Sequence, residues 1–167
     1  EHGFPIQVAL KIGRRLIEVL SRDGLRTIDP GAMVVRGADV AFETSDIGGA
    51  EGYTAPEQLD GAPVDEPSLL FSIGVILFEL LAGRRLFEGA PEEVRRQILE
   101  DPPPDLGEER MDAPPELVEL LFELLCNDPA SRPDTLVEVA ARLDELIDDR
   151  AGWEGELHLG AFLEALE

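Results

Sequence analysis

The sequence predicts a mainly α-helical domain with one small β-hairpin. The chain has 167 residues, the size of a single domain, and 44% of them are hydrophobic, which is enough for a core. One segment, residues 68–83, is apolar on almost every side, and several others place apolar residues at helical spacing. A helix that is apolar all round must be covered all round. We therefore expect helices packed around one central buried helix.

The N-terminal part predicts a helix followed by the hairpin. Apolar residues recur at helical spacing over residues 5–22, with basic and acidic residues on the opposite face, and Gly24 ends the helix. Two short β-like runs, residues 33–35 and 40–42, lie on either side of Gly37. Runs of this kind around a glycine are typical of a hairpin.

The C-terminal part predicts four further helices. Residues 68–83 number about 16, which is fewer than the roughly 20 needed to cross a bilayer, and they include Glu79. They therefore indicate a buried central helix in preference to a membrane span. Amphipathic helices are predicted over residues 91–100, 115–127 and 135–148.

The connections and the chain end complete the predicted organisation. Residues 55–59 favour one helical turn, and the prolines at positions 102–104 predict an extended loop over residues 101–115 because proline blocks helix formation. We expect one domain over residues 1–150 and a C-terminal amphipathic tail helix over residues 151–167.

The composition excludes several classes of function. Acidic residues number 36 and Lys plus Arg 14, which gives a net charge of −22. A field of that sign repels nucleic acids and anionic membranes, so we expect partner proteins with cationic or apolar patches. Cys126 is the one cysteine and there are two histidines, so we expect neither a disulfide nor a metal site. The sequence shows no signal peptide, which predicts a cytoplasmic location, and we expect no cofactor.

Three phrases in a fixed order carry a family resemblance. They are Gly-Tyr-Thr-Ala-Pro-Glu-Gln-Leu over residues 52–59, the apolar stretch over residues 64–83, and Asn-Asp-Pro-Ala-Ser-Arg-Pro over residues 127–133. Together they resemble the C-terminal lobe of a bacterial Ser/Thr protein kinase over residues 5–148. The resemblance implies a kinase C-lobe-like helical bundle, with the first phrase at the end of an activation segment.

Two charged residues in these phrases form a candidate structural ion pair. The resemblance implies that Glu57 pairs with Arg132 and ties the activation segment to the later helices. A guanidinium can hold a carboxylate through two parallel hydrogen bonds, which suits this role. The alternative is that the two residues are unrelated surface charges.

The positions at which the family performs catalysis are changed in this sequence. An alignment anchored on Pro30 places Thr27 at the catalytic aspartate, Asp29 at the lysine and Ala32 at the metal-binding asparagine. Where the resemblance implies a metal-binding Asp-Phe-Gly after the second strand, the sequence continues from Phe42 without it. These changes predict a pseudokinase, which is not an enzyme and does not bind nucleotide.

The main hypothesis is therefore an inactive kinase-like lobe that acts as a protein-interaction or scaffold module. It would bind another protein or a second copy of the chain through apolar residues of the hairpin and the tail, namely Met33, Val35, Val40, Phe42 and Phe162.

Two alternatives stay open. One is a divergent Ser/Thr kinase whose N-lobe lies upstream and which uses Asp29, Glu43 or Asp46. The other is an inert structural portion of a larger signalling receptor.

Overall fold

A computed structural model of the protein describes residues 3–23, 33–36, 39–42 and 51–147. Its helices and strands follow the predicted order along the chain. They are α1 (Ile6–Asp23), β1 (Met33–Arg36), β2 (Asp39–Phe42), a 3-10 turn (Glu51–Tyr53), α2 (Pro56–Leu59), α3 (Glu66–Ala82), α4 (Pro91–Glu100), α5 (Leu106–Glu109), α6 (Pro115–Leu124), a second 3-10 turn (Pro129–Ser131) and α7 (Leu136–Leu146). The predicted fold class, a mainly helical bundle with a small hairpin, is confirmed.

Helix α3 is the buried centre of the fold. Every residue from Ser68 to Leu81 is buried, in agreement with the prediction from its apolar sequence. The helix begins at a reciprocal cap, in which the Asp65 carboxylate accepts from the Ser68 N–H and the Ser68 hydroxyl accepts from the Asp65 N–H, each at 3.0 Å. It ends at Gly83, whose φ of 71° is left-handed.

Two glycines allow neighbouring helices to approach α3 closely. A Cβ added at Gly13 of α1 would lie 2.5 Å from Leu77 Cδ2 of α3. A Cβ added at Gly74 of α3 would lie 2.9 Å from Leu124 Cβ of α6. Both distances are shorter than carbon contacts allow, so a larger residue at Gly13 would displace the Leu77 side chain and one at Gly74 would push against Leu124 close to its backbone. Helix α7 packs mainly against α1.

The predicted hairpin is present as an antiparallel pair of four-residue strands. Met33 of β1 lies opposite Phe42 of β2, and Val35 lies opposite Val40. The pair lies beside α1.

The predicted extended loop over residues 101–115 contains a short helix, α5, and that part of the prediction is wrong. The Asp105 carboxylate begins the helix by accepting from the Gly107 N–H at 2.7 Å. Leu106 is 1% exposed and joins the hydrophobic core, which holds the turn in place. The prolines at 102–104 stay outside the helix, as expected.

Two further predictions can be tested only within the described residues. The tail predicted over residues 151–167 lies outside them, so the division near residue 150 stays a prediction. Across the described parts of the chain, no helix combines the length and the apolar character that a membrane span requires.

Candidate functional site

The first kinase-like phrase forms a short segment that lies against α3. This anchored segment, residues 51–59, consists of the first 3-10 turn and α2. Pro56 occupies the first turn of α2, and the Gln58 side chain accepts from the Ala55 N–H at 3.2 Å. Tyr53, Ala55 and Pro56 are buried, so the segment is part of the packed structure.

The C-terminal end of the anchored segment is held by Glu57 and Arg132, which the structure brings together. Arg132 Nη1 donates to Glu57 Oε1 at 2.7 Å, and Nη2 donates to Glu57 Oε2 at 2.9 Å. These are the two parallel charge-assisted hydrogen bonds of a bidentate guanidinium–carboxylate pair. The residues are 75 positions apart, so the pair joins the anchored segment to the region after α6.

Every N–H of the Arg132 guanidinium has an acceptor. Besides Glu57, the group donates to the backbone carbonyls of Cys126 at 2.8 Å, Pro67 at 2.8 Å and Asn127 at 3.2 Å. It also lies 5.1 Å from the centroid of the Phe71 ring. Because the side chain is 0% exposed, no water replaces a lost partner. A lysine has three N–H groups and no planar fork, so it could not satisfy this set.

The turn before Arg132 explains how the side chain reaches this position. The Asp128 carboxylate accepts from the Ala130 N–H at 3.0 Å and begins the 3-10 turn Pro129–Ser131. Arg132 follows with an extended backbone. Its side chain lies against the first turns of α3, where it contacts the Pro67 carbonyl and the Phe71 ring.

The N-terminal end of the anchored segment is held by a second cluster around Tyr53. The Tyr53 hydroxyl donates to Glu79 Oε2 of α3 at 2.5 Å and accepts from the Arg85 guanidinium. Arg85 also lies 3.3 Å from Glu79 Oε2, and the Leu86 N–H donates to Glu79 Oε1 at 3.0 Å. The Ser72 hydroxyl donates to the Tyr53 carbonyl at 2.7 Å. Thus both the side chain and the backbone of Tyr53 are fixed on α3.

Burial controls the titration of this cluster. It raises the pKa of the Glu79 carboxyl above its usual value, although the hydrogen bonds from Tyr53 and Leu86 and the charge of Arg85 oppose that shift. It also raises the pKa of the Tyr53 hydroxyl, and the neighbouring Glu79 carboxylate raises it further. Tyr53 is therefore a neutral donor throughout the physiological range.

The other predicted site residues have no described surroundings. Thr27, Asp29 and Ala32, at the changed catalytic positions, lie outside the described residues, and so does Phe162 of the tail. The hairpin residues Met33, Val35, Val40 and Phe42 lie on the paired strands β1 and β2, and their partner-binding role stays a prediction.

The sequence analysis missed the Tyr53 cluster, although one feature pointed to it. Glu79 is the one charged residue in the buried part of α3, from Ser68 to Leu81. A buried carboxylate requires hydrogen-bond donors, so partners near Glu79 could have been expected. Nothing in the sequence pattern identifies Tyr53, Arg85 and the Leu86 N–H as those partners.

The resemblance also implies Mg²⁺, which kinases use with ATP. Within residues 3–23, 33–36, 39–42 and 51–147, no three Asp, Glu, His or Cys side chains are grouped to hold a metal ion. The described residues therefore do not fit the metal, and no chemical step is assigned to it.

Comparison with known proteins identifies the family. The protein kinase domain model matches residues 19–142, which is most of the chain. The chain belongs to the protein kinase family.

Curated bacterial kinases are similar to the chain over most of its length. The probable serine/threonine-protein kinase PkwA of Thermomonospora curvata is 33% identical over 80% of the chain, which spans 17% of that protein. The serine/threonine-protein kinase PknB of Mycolicibacterium smegmatis is 30% identical over 81%, spanning 22% of that protein. The tyrosine-protein kinase MasK of Myxococcus xanthus is 29% identical over 98%, spanning 26% of that protein. The chain thus corresponds to a quarter or less of most of these relatives.

These findings correct one prediction. The changed catalytic positions predicted that the protein is not an enzyme, and that prediction is wrong, because the family model and the kinases among the relatives point to a kinase. The prediction rested on a few positions, namely those aligned on Pro30 and the missing Asp-Phe-Gly after Phe42. The family match rests on more than a hundred residues.

Proposed function

We propose that the chain is the C-terminal lobe of a divergent bacterial protein kinase that phosphorylates Ser or Thr side chains. An N-terminal lobe, encoded upstream, would bind ATP. The protein kinase match over residues 19–142 and the serine/threonine-protein kinases among the relatives support this proposal. We place the reaction in the cytoplasm, because ATP is the phosphoryl donor.

The observation that carries the proposal is the double attachment of the anchored segment. Phosphoryl transfer depends mainly on positioning and electrostatic stabilisation, so a kinase needs a rigid support for the acceptor peptide. The Glu57–Arg132 pair at one end and the Tyr53 cluster at the other give residues 51–59 that rigidity. The anchored segment would orient the acceptor hydroxyl.

The catalytic base would come from residues near the predicted catalytic loop. The sequence offers Asp29, Glu43 and Asp46 there, in the stretches that follow α1 and β2. One of these carboxylates would accept the proton of the acceptor hydroxyl as that oxygen attacks the γ-phosphorus of ATP and ADP leaves.

The test is phosphoryl transfer by the longest natural chain that contains residues 1–167. The protein is incubated with γ-labelled MgATP, alone and with a Ser/Thr peptide library, and the phosphorylated amino acids are identified. We expect label on Ser or Thr that increases with time. No label at saturating MgATP, together with no heat of ATP binding in calorimetry, would contradict the proposal. Label on tyrosine alone would favour a tyrosine specificity such as the name of MasK gives.

Substitutions then identify the catalytic base. We expect one of Asp29→Asn, Glu43→Gln and Asp46→Asn to lower the rate by about 10² or more, the usual contribution of a general base. Asp60→Asn is the matched control, because Asp60 is an exposed carboxylate just after α2. If the three variants and the control have equal rates, the catalytic carboxylate lies elsewhere and the assignment is wrong.

A further inference from the structure

An open groove lies between α5 and α6, away from the anchored segment. It has a volume of about 540 Å³. Its apolar lining comes from Pro103, Ala113, Pro115, Val118 and Phe122. Phe122 is 50% exposed, although most large apolar side chains of the described residues are buried. An apolar cleft with an exposed aromatic ring is a typical place for another protein to bind.

The sides of this α5–α6 groove are acidic. Asp105 and Glu119 line it, and Glu108 and Glu116, adjacent to lining residues in the chain, are exposed. None of these four carboxylates forms an ion pair with another described residue, whereas nearby Glu109, Asp112 and Glu123 pair with Arg84, Arg110 and Arg142. No cation of the described residues therefore pairs with these carboxylates, although that of Asp105 also caps α5.

The charge identifies the chemistry of the occupant. A second copy of the chain would carry its own net charge of −22 to the same surface, and like charges oppose that contact. A segment with Lys or Arg on either side of an apolar side chain would place cations beside Asp105 and Glu119 and its apolar group against Phe122. Such a segment would complement both the apolar floor and the acidic sides of the groove.

We infer that the α5–α6 groove is a docking site for a basic segment of a partner protein, anchored by one apolar side chain. This inference does not depend on the proposed phosphoryl transfer, because the groove is separate from the anchored segment and binding requires no ATP. A partner held here would remain close to the lobe during any reaction.

The test measures binding of labelled peptides to the longest natural chain by fluorescence anisotropy. The probe has about 12 residues, with a central Phe or Leu flanked by Lys and Arg, and the control peptide has Gly in the centre. Salt is kept at about 0.15 M so that long-range attraction is screened. We expect the control peptide to bind about fivefold or more weakly than the probe.

Paired variants separate docking from general attraction. Glu119→Lys in the groove and Glu92→Lys on α4 change the net charge equally, and both residues are exposed. Phe122→Ala is matched by Val137→Ala on α7, where Val137 is 74% exposed. We expect the two groove variants to weaken binding about fivefold to tenfold and the two controls to change it less than about twofold.

Three results would overturn the inference. The first is equal binding by groove and control variants, which indicates attraction to the whole acidic surface. The second is equal binding of the probe and the glycine peptide. The third is a concentration-dependent dimer in sedimentation that Phe122→Ala abolishes, since the occupant would then be a second copy.

Discussion

The two ends of the anchored segment are held by different kinds of contact. At the Glu57 end, one fully buried guanidinium uses all five N–H groups on fixed acceptors. At the Tyr53 end, a neutral hydroxyl lies between Glu79 and Arg85, and the Arg85 side chain is 29% exposed. The first end depends on a single residue, whereas the second shares its hydrogen bonds among several groups.

This difference predicts unequal tolerance of substitution. When a buried charge loses its partner, the remaining charge has no water to replace it, and the cost is large. When one member of a shared cluster is removed, the others can still pair with each other or with water. The two ends should therefore respond very differently to the loss of one side chain.

The largest effect is expected for Arg132→Ala. The change leaves the Glu57 carboxylate, only 16% exposed, without its cation and also removes the donors to three backbone carbonyls. Removal of one partner of a buried pair costs about 3–5 kcal/mol. Urea denaturation followed by circular dichroism measures the loss in the free energy of unfolding.

Arg95→Ala is the matched control for this experiment. Arg95 also contacts the anchored segment, through the Leu59 carbonyl at 3.0 Å, but its side chain is 48% exposed. Exposed arginines contribute little to stability, so the control should change it far less. A similar loss in both variants would show that burial of Arg132 does not make the difference.

A smaller effect is expected for Tyr53→Phe. The change removes the hydroxyl but keeps the buried ring, and Glu79 retains Arg85 and the Leu86 N–H. The loss of one hydrogen bond to a charged group in such a cluster costs about 1–2 kcal/mol. The same denaturation experiment measures it. If the loss equals that of Arg132→Ala, the two ends are equivalent and the comparison fails.

The pH dependence of stability tests the Tyr53 end further, with a smaller effect. Because burial raises the pKa of Glu79 in the folded protein, the fold favours the protonated carboxyl. The contribution of Glu79 to the stability of the folded protein is greatest below the pKa of the unfolded state, near 4.5. It is lost as the pH rises through the pKa of the folded state. The stability of the protein relative to Glu79→Gln should therefore fall as the pH rises above about 4.5. Parallel curves for the two proteins would contradict the raised pKa.

Much of the fold could be predicted because it depends on local patterns. The apolar sequence of α3 requires burial, and the amphipathic spacing of α1, α6 and α7 shows which faces pack inward. The short helix α5 was missed because four residues carry no periodicity. It depends on the Asp105 cap and on burial of Leu106, and burial depends on the whole fold.

The candidate site was predictable only in part, because its contacts join distant positions. Glu57 and Arg132 were paired through two recognisable phrases, each flanked by proline. Tyr53, Glu79 and Arg85 meet only after α3 and the chain beyond Gly83 are in place. A sequence shows that Glu79 needs donors, but it does not show which donors the fold brings to it.

The smallest effect is expected for Arg96→Ala, which removes close ion pairs with Glu93 and Asp101 on the surface. Arg96 lies 2.7 Å from Glu93 and 3.1 Å from Asp101, close to the distances of the Arg132 pair, but its side chain is 45% exposed. Water and salt screen these charges, and ordering the side chain costs conformational entropy. We expect no measurable change in the urea midpoint. A loss as large as that of Tyr53→Phe would mean that distance, and not burial, decides the strength of ion pairs in this protein. No change beside a large loss in Arg132→Ala would show that short ion-pair distances alone do not stabilise this protein, and that the burial of Arg132 and its hydrogen bonds to three backbone carbonyls make the difference.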